Sequence, residues 1–166
     1  LLRAIALAMT GKVHLIHVTI VSPNPTLRIG LRELLGEHPD IRVVGEATSL
    51  EQVEETETTL NPGGETEVIL LTSGSGVSSA RLSEIEFNDR AILLLTDNPD
   101  DAKFLLRSKT RAWGVLSLSA TEDELLAGIR AVAEGLWVGA AGLVSGLMRA
   151  GGRVNLTEGE SFVEPL

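Results

Sequence analysis

Small polar side chains and one carboxylate follow the apolar runs of this sequence, and a binding or catalytic site could be built from them. These candidate site residues are Ser22, Asn24, Thr72, Ser73, Thr96, Asp97 and Ser119. If the runs are parallel strands of one open sheet, these side chains meet beyond its carboxyl ends, where such sheets bind ligands. One hypothesis is therefore a hydroxyl-lined pocket for a small ligand. The simpler interpretation, which the residue types alone favour, is that they are ordinary turn and helix-cap residues.

The sequence motifs of common catalytic sites are missing or incomplete. A dinucleotide site needs glycines in its first turn, and Ser22-Pro23-Asn24-Pro25 contains none. Gly74-Ser75-Gly76 resembles a nucleophile elbow only superficially, and all three histidines lie in the N-terminal quarter of the chain. Cysteine is absent, which excludes thiolate chemistry and Cys-based metal sites. We therefore expect no enzyme, no metal site and no cofactor, and a hydrolase that uses Ser75 or Thr72 is the weakest alternative.

Five short runs rich in Val, Ile and Leu are the candidate strands that would position these residues. They are His17–Val21, Ile41–Val44, Val68–Leu71, Ile92–Leu95 and Val115–Leu118. Runs of this kind are typical of strands that are buried on both faces of a parallel sheet. Amphipathic segments lie between them, so the alternation predicts a three-layer, doubly wound α/β fold with a five-stranded parallel sheet.

Helix signals lie between and after these runs. Leucines at positions i, i+4, i+7 and i+8 indicate a helix from Leu27 to Leu35. Asn98-Pro99 and the run Thr121-Glu122-Asp123-Glu124 each predict the start of a helix. Further helical candidates are a capping box at Ser49-Leu50-Glu51-Gln52, the segment Ser78–Ile85 and the segment Gly139–Ala150.

Composition limits the partners that the chain can bind. The net charge is -9, the 14 Lys and Arg residues are scattered, and only 3% of the residues are aromatic. A nucleic-acid surface needs clustered basic or stacking side chains, so we expect none within this chain. No apolar stretch approaches the ~20 residues of a membrane span, which favours a cytoplasmic protein without membrane contact. Residues 1–14 are assigned to an N-terminal arm, 15–150 to one domain and 151–166 to an interdomain linker.

The segment from His17 to Met148 resembles the receiver domain of response regulators, in the LuxR/NarL class with a C-terminal DNA-binding helix-turn-helix. The resemblance rests on the stretches HVTIVSPNPTLRIGLRELLGEHPDIRVVGEA, TEVILLTSGSG, RAILLLTDNPDDAKFLLRSKTRAWGVLSLSATEDELLAGIRAVAEG and GLWVGAAGLVSGLM. It covers about four fifths of the chain in the correct order. It implies a flavodoxin-like receiver fold with strand order 2-1-3-4-5.

The family's phosphorylation chemistry implies residues that this sequence lacks. In the family, an Asp that ends strand three accepts the phosphoryl group and binds Mg²⁺ together with an acidic pair after strand one. Here Ser22 and Pro23 replace the acidic pair, and Thr72 replaces the phosphoacceptor. Thr96 matches the family's Thr or Ser, whereas Leu118 stands at the position of its Lys. The resemblance therefore implies an atypical receiver, or pseudo-receiver.

These implications lead to one functional expectation and one alternative. We expect a phosphorylation-independent regulatory and dimerisation domain of a transcription regulator of the two-component (phosphorelay) type, acting in signal transduction. It would form a homodimer, and it would bind DNA only through a helix-turn-helix domain beyond Leu166. The alternative is a small-ligand sensor that uses the hydroxyl-lined pocket at the carboxyl ends of the strands.

Overall fold

The central sheet has six parallel strands in the computed structural model, which describes residues 14–53, 66–74, 87 and 89–152. The strands are β1 (Ile16–Val21), β2 (Ile41–Ala47), β3 (Val68–Thr72), β4 (Ala91–Leu95), β5 (Trp113–Leu116) and β6 (Val138–Gly139). Their order is β2-β1-β3-β4-β5-β6, which confirms the order expected for the first five. The expected total of five strands is wrong by one, because a two-residue strand is too short to leave a periodic signal in the sequence.

Helices follow the strands and begin at polar residues. The described helical segments are α1 (Pro25–Gly36), residues 50–53, a 3-10 helix (Pro99–Leu106), α2 (Glu122–Ala133) and α3 (Ala141–Gly152). The side chains of Asn24, Asn98 and Thr121 cap α1, the 3-10 helix and α2 by accepting hydrogen bonds from the first free N–H groups. The predicted helix start at Thr121 is confirmed, and Thr121 and Glu124 form a capping box there.

Two apolar clusters on opposite faces of the sheet give the three layers that the sequence predicts. On one face, Leu35 of α1 and Ile129 of α2 pack against the sheet. On the other face, Leu50, Leu105 of the 3-10 helix and Leu147 of α3 do the same. Because both faces are covered, β3 and β4 are buried along their whole length, which explains their continuous apolar sequences.

Each predicted strand differs from the observed one at one end or both, most in β2, which continues to Ala47, and in β5, and several predicted segments lie outside the described residues. β5 ends at Leu116 rather than Leu118, because the chain turns at once and the Ala120 N–H donates to the Ser117 carbonyl. The arm up to residue 13, the Ser78–Ile85 helix and the linker from residue 153 onward are outside the described ranges. Within those ranges, no helix has the length and apolar character that crossing a bilayer requires.

The sheet is irregular at the edge formed by β2. Val18 pairs with Val43 and Thr19 pairs with Gly45, so Val44 is an extra residue in the ladder, which is the geometry of a β-bulge. Gly45 suits this position because a Cβ there would lie only 3.1 Å from the hydroxyl oxygen of Thr19. The bulge therefore places a small residue beside a buried polar side chain.

The opposite edge is formed by β6, and α3 follows it across the 3-10 helix. The Ala140 N–H donates to the Val115 carbonyl at 2.9 Å, which continues the pairing between β5 and β6. Gly146 of α3 lies against Pro99, and a Cβ at Gly146 would be 2.9 Å from the Pro99 Cγ. The final helix is thus packed within the domain.

A charged contact joins the loop before β2 to α2. The Arg130 Nε donates to Asp40 Oδ2 at 2.8 Å, and the Arg130 Nη2 donates to Asp40 Oδ1 at 3.1 Å. His38 Nε2 lies 3.0 Å from Glu122 Oε1 in the same region. The hydrogen bonds from Arg130 lower the pKa of Asp40 below its ordinary value, and those to Asp40 raise the pKa of Arg130.

Candidate functional site

Ser22 and Thr72 form a buried pair of hydroxyl groups at the carboxyl ends of β1 and β3. These strands are neighbours, and Val21 pairs with Leu71 just before the two polar residues. The Thr72 Oγ1 donates to the Ser22 Oγ at 2.7 Å, and both residues are almost fully buried. The Ser22 Oγ also accepts from the Asn24 N–H at 3.3 Å. Ser22 and Thr72 therefore lie side by side, as expected, but their hydroxyl groups are hydrogen-bonded to each other.

Thr96, which follows β4, belongs to a separate network. Its Oγ1 donates to Asp101 Oδ2 at 2.8 Å and accepts from the Asn98 N–H at 3.0 Å. Thr96 is fully buried, so these bonds satisfy a hydroxyl that water cannot reach. They fix the hydroxyl toward the first turn of the 3-10 helix.

Asp97 and Ser119 form a third network with the loop after β5. Asp97 Oδ1 accepts from the Ser117 Oγ at 2.6 Å and from the Leu118 N–H at 3.2 Å. The Ser119 Oγ lies 2.8 Å from the Ser117 Oγ. Leu118 contributes its backbone only, and its side chain is 44% exposed. A carboxylate and two hydroxyls therefore hold the β5 loop against the end of β4.

The remaining candidate residues have local roles. The Asn24 Oδ1 accepts from the Thr26 and Leu27 N–H groups at the start of α1. The Ser73 N–H donates to the Leu95 carbonyl at 3.0 Å. The seven predicted residues thus lie along the carboxyl edge of the sheet, as expected. Their bonds divide them among separate networks. Asn24 caps a helix, as in the simpler interpretation of the sequence, whereas the Thr72–Ser22 and Ser117–Asp97 bonds join segments that are distant in the chain.

Three contributors to this edge have roles that the sequence did not indicate: Arg28, Asp101 and Ser117. The Arg28 Nη1 donates to the Ser22 carbonyl, which ties α1 to the end of β1. The Asp101 carboxylate accepts a hydrogen bond from the Thr96 hydroxyl, although a carboxylate in a first helical turn is most simply explained by the helix dipole. The i, i+5 spacing of Thr96 and Asp101 around an Asn-Pro cap is a signal that could have found this contact.

The Ser22 and Thr72 pair does not fit the Mg²⁺ ion that the receiver fold implies. Mg²⁺ takes oxygen ligands in octahedral geometry and is usually held by one or two carboxylates. Here the paired groups are neutral hydroxyls already bonded to each other, and Pro23 offers no side-chain ligand. Across the described ranges, no three His, Asp or Glu side chains stand close enough to hold a metal ion.

The fold is shared with known response regulators. The isolated REC domain of RcsB from Salmonella enterica serovar Typhimurium, in the apo form, is 20% identical with a TM-score of 0.64, covering 81% of this chain and 98% of that chain. A two-component response regulator of the LuxR family from Aurantimonas sp. SI85-9A1 is 18% identical with a TM-score of 0.61, covering 85% and 99%. ChrA, the response regulator of a heme-sensing two-component system, is 22% identical with a TM-score of 0.59, covering 91% and 70%.

These likenesses establish the fold of this chain. It is the receiver fold, with the flavodoxin-like strand order. The sequence matches no protein-family model and no curated protein.

Proposed function

We propose that this chain is a receiver-like regulatory domain of a transcription regulator, and that it works without phosphorylation and without enzymatic activity. The observation that supports this most directly is the Ser22–Thr72 hydroxyl pair. It occupies the carboxyl ends of β1 and β3, where a phosphorylated receiver would need carboxylates. The proposal places the chain in signal transduction, in a cytoplasmic regulator of the two-component type.

The chemistry of phosphoryl transfer explains why these residues matter. An acyl phosphate can form only on a carboxylate, and in the described part of the chain no base bonds to the Thr72 hydroxyl to activate it as a substitute nucleophile. Its proton is already donated to Ser22. A transferred phosphoryl group also needs a cation beside it, and Leu118 supplies only a backbone N–H that Asp97 already accepts. Three separate requirements of the reaction are therefore unmet.

The Thr96–Asp101 bond supports a single stable conformation of this edge. A switch driven by phosphorylation needs a ligand that binds one of two states better than the other. The Thr96 hydroxyl is held by a carboxylate of the neighbouring helix instead of being available to a group on Thr72. We infer that regulation acts through partner contacts, with the carboxyl edge as a fixed structural element.

We further propose that the domain forms a homodimer and reaches DNA only through a C-terminal domain beyond Leu166. RcsB, which shares the fold, is known from a structure of two dimers bound to two parallel DNAs. The net charge of -9 opposes direct contact with a phosphate backbone. Exposed apolar side chains after α2, Leu136 and Trp137, offer a surface for a second copy.

The proposal is tested by adding Mg²⁺ together with beryllofluoride or acetyl phosphate to the protein. We expect no change in melting temperature, in tryptophan fluorescence or in mass, because positions 22, 23 and 72 carry no carboxylate to bind a metal or a phosphoryl group. A positive control is the triple variant Ser22→Asp, Pro23→Asp, Thr72→Asp, which restores three carboxylates and should gain stability from Mg²⁺. A saturable Mg²⁺-dependent signal in the natural sequence, or an acid-stable or acyl phosphoryl adduct of it, would overturn the proposal.

A further inference from the structure

A concave region of about 340 Å³ lies beside the carboxyl edge, between the first turns of α1 and the end of β2. Arg28 and Arg32 of α1 line one side of it, and Glu46 and Thr48 line the other. Ile29 adds an apolar wall that is 51% exposed. The volume is at the small end of the range for ligand sites in proteins, about 300–1,000 Å³.

Arg28 is the unusual member of this lining. It is half-buried, and its Nη1 donates to the Ser22 carbonyl, which leaves further N–H donors of the guanidinium for another acceptor. Within the described ranges no carboxylate pairs with it. Arg32, four residues later on the same helix, is by contrast 3.1 Å from Glu46 Oε2 and 3.5 Å from Glu33 Oε1.

The charge of the cavity is therefore opposite to that of the molecule. Two guanidinium groups and one carboxylate line it, in a chain whose net charge is -9. A partly buried cation without a counter-ion has lost hydration that an anionic ligand could replace. A planar guanidinium fork matches the oxygen pair of a carboxylate or a phosphate monoester.

We propose that this cavity binds a small organic oxyanion, a carboxylate or a phosphate monoester, with an apolar body. Arg28 binds the oxyanion, and Ile29 contacts the apolar body. The Gln52 side chain forms a fixed rim, because its Oε1 accepts from the N–H of Thr48 at 2.9 Å and from its hydroxyl at 3.1 Å. This site is distinct from the Ser22–Thr72 pair and does not depend on the proposed function.

Binding at Arg28 would also affect the junction between β1 and α1. The guanidinium already holds the Ser22 carbonyl, which lies at the junction of β1 and α1. A bound oxyanion would fix the Arg28 side chain and with it this junction. The ligand should therefore stabilise the fold as well as occupy the cavity.

The experiment titrates the intact chain with benzoate, phenyl phosphate and benzyl alcohol, followed by calorimetry and two-dimensional NMR. We expect saturable binding of at least one of the two anions, with shifts at the backbone amides of Arg28 and Thr48, and none of the neutral alcohol. If only one of the two anions binds, the result identifies the preferred ligand as a carboxylate or as a phosphate monoester. Absence of saturable anion binding up to about 20 mM, a range that covers weak fragment affinities, would overturn the proposal.

Variants separate a ligand site from a merely structural arginine. Arg28→Gln should weaken anion binding by about tenfold or more, because the charged fork is lost. Arg107→Gln removes the same charge from the far end of the 3-10 helix and should leave the affinity within about twofold. Equal affinity in Arg28→Gln and the natural sequence would overturn the proposal.

If Arg28→Gln fails to fold, a second pair of variants tests whether the anion binds at this cavity. Ile29→Glu places a negative charge on an exposed wall of the cavity and should abolish anion binding by repulsion. Ile29→Gln has the same shape without the charge and should retain binding. If the Glu variant binds the anions as well as the Gln variant does, the site is not at this cavity.

Discussion

The bond between Thr72 and Ser22 joins two neutral side chains that are fifty residues apart in the sequence and fully enclosed by the fold. A buried hydroxyl is costly only when it lacks a partner. Here each hydroxyl has the other as its hydrogen-bond partner. A cluster of carboxylates at the same place would repel one another unless a cation were bound. The pair therefore gives this edge a stability that does not depend on metal.

Thr72→Val tests that contribution. Valine keeps the shape but removes the donor, so the Ser22 Oγ is left with the Asn24 N–H as its described partner. We expect a loss of about 1 kcal/mol in the free energy of unfolding, measured by urea denaturation. Thr110→Val, a substitution at a threonine outside this network, serves as the control and should change stability less. A variant as stable as the natural sequence would show that the pair contributes nothing.

Side-chain contacts of this kind were only partly predictable. The helix starts at Thr121 and Asn98 were predicted because helix capping depends on residue types within a few positions along the chain. The edge location of Ser22 and Thr72 followed from the strand pattern. The Arg28 and Asp101 contacts did not follow from that pattern. They depend on how the loops turn and how the helices are oriented, and residue spacing along the chain does not encode either.

At the scale of elements, the close packing of α3 against its own domain is the feature that the sequence indicated least. The sequence predicted a helix here and left open whether it packs on its own domain. The buried Leu147 and the close approach of Gly146 to Pro99 show that it does. β6 was not predicted from the sequence, because a two-residue strand between two helices cannot be distinguished from a loop by its hydrophobicity pattern.

Two glycines of α3 should respond to the same substitution in opposite ways. Gly146→Ala places a methyl group 2.9 Å from the rigid Pro99 ring and should destabilise the domain by about 1–3 kcal/mol. Gly142→Ala meets no atom within 4 Å and should be neutral or stabilising by up to about 1 kcal/mol, because alanine favours the helix. Urea denaturation of both variants measures this. Equal effects would mean that α3 does not rest on the 3-10 helix.

The Asp40–Arg130 contact should make the link between the β2 loop and α2 sensitive to acid. Because Arg130 lowers the pKa of Asp40 in the folded state, the contact stabilises the fold above the ordinary carboxyl pKa of about 3.9. That stabilisation is lost as the pH falls through the lowered value. Asp40→Asn should cost about 0.5–1 kcal/mol at pH 7, a modest figure because both side chains are partly exposed to solvent.

The measurement compares urea denaturation of Asp40→Asn and the natural sequence at pH 7 and again near pH 3. The difference between them should shrink at the lower pH, because Asp40 takes up a proton in the unfolded state while its lowered pKa opposes protonation in the folded state. Asp123→Asn, at an exposed carboxylate of the first turn of α2, provides the control. A difference that stays constant with pH would show that the charge of Asp40 is not what stabilises the contact.

At the scale of the whole molecule, the two most exposed large apolar side chains of the described residues, Leu136 and Trp137, are adjacent and follow α2. Trp137 is 69% exposed, and its ring stacks on Trp113 with centroids 5.4 Å apart. Stacking on a buried ring holds Trp137 in place without covering its outer face. A rigid, exposed aromatic side chain is the kind of residue on which protein interfaces are centred.

Light scattering should detect self-association through this surface. We expect the weight-average mass to rise above 17.6 kDa as the protein concentration increases from about 10 to 200 µM, the range of weak interfaces. Trp137→Ala should abolish the rise, whereas Ile29→Ser, which removes an exposed apolar side chain from α1, should preserve it. A mass that stays at the monomer value, or a Trp137→Ala protein that associates equally, would contradict the homodimer proposal.

The shape of the two sheet edges limits how such a dimer can form. Strand-to-strand addition requires a regular row of free N–H and carbonyl groups, and fibrillar aggregation begins from the same template. The extra residue Val44 interrupts that row in β2, and β6 offers only two residues. Neither edge can continue the ladder into a neighbouring molecule for more than a few hydrogen bonds. The proposed homodimer would therefore be held together by side-chain contacts, and strand-by-strand polymerisation of the domain is disfavoured.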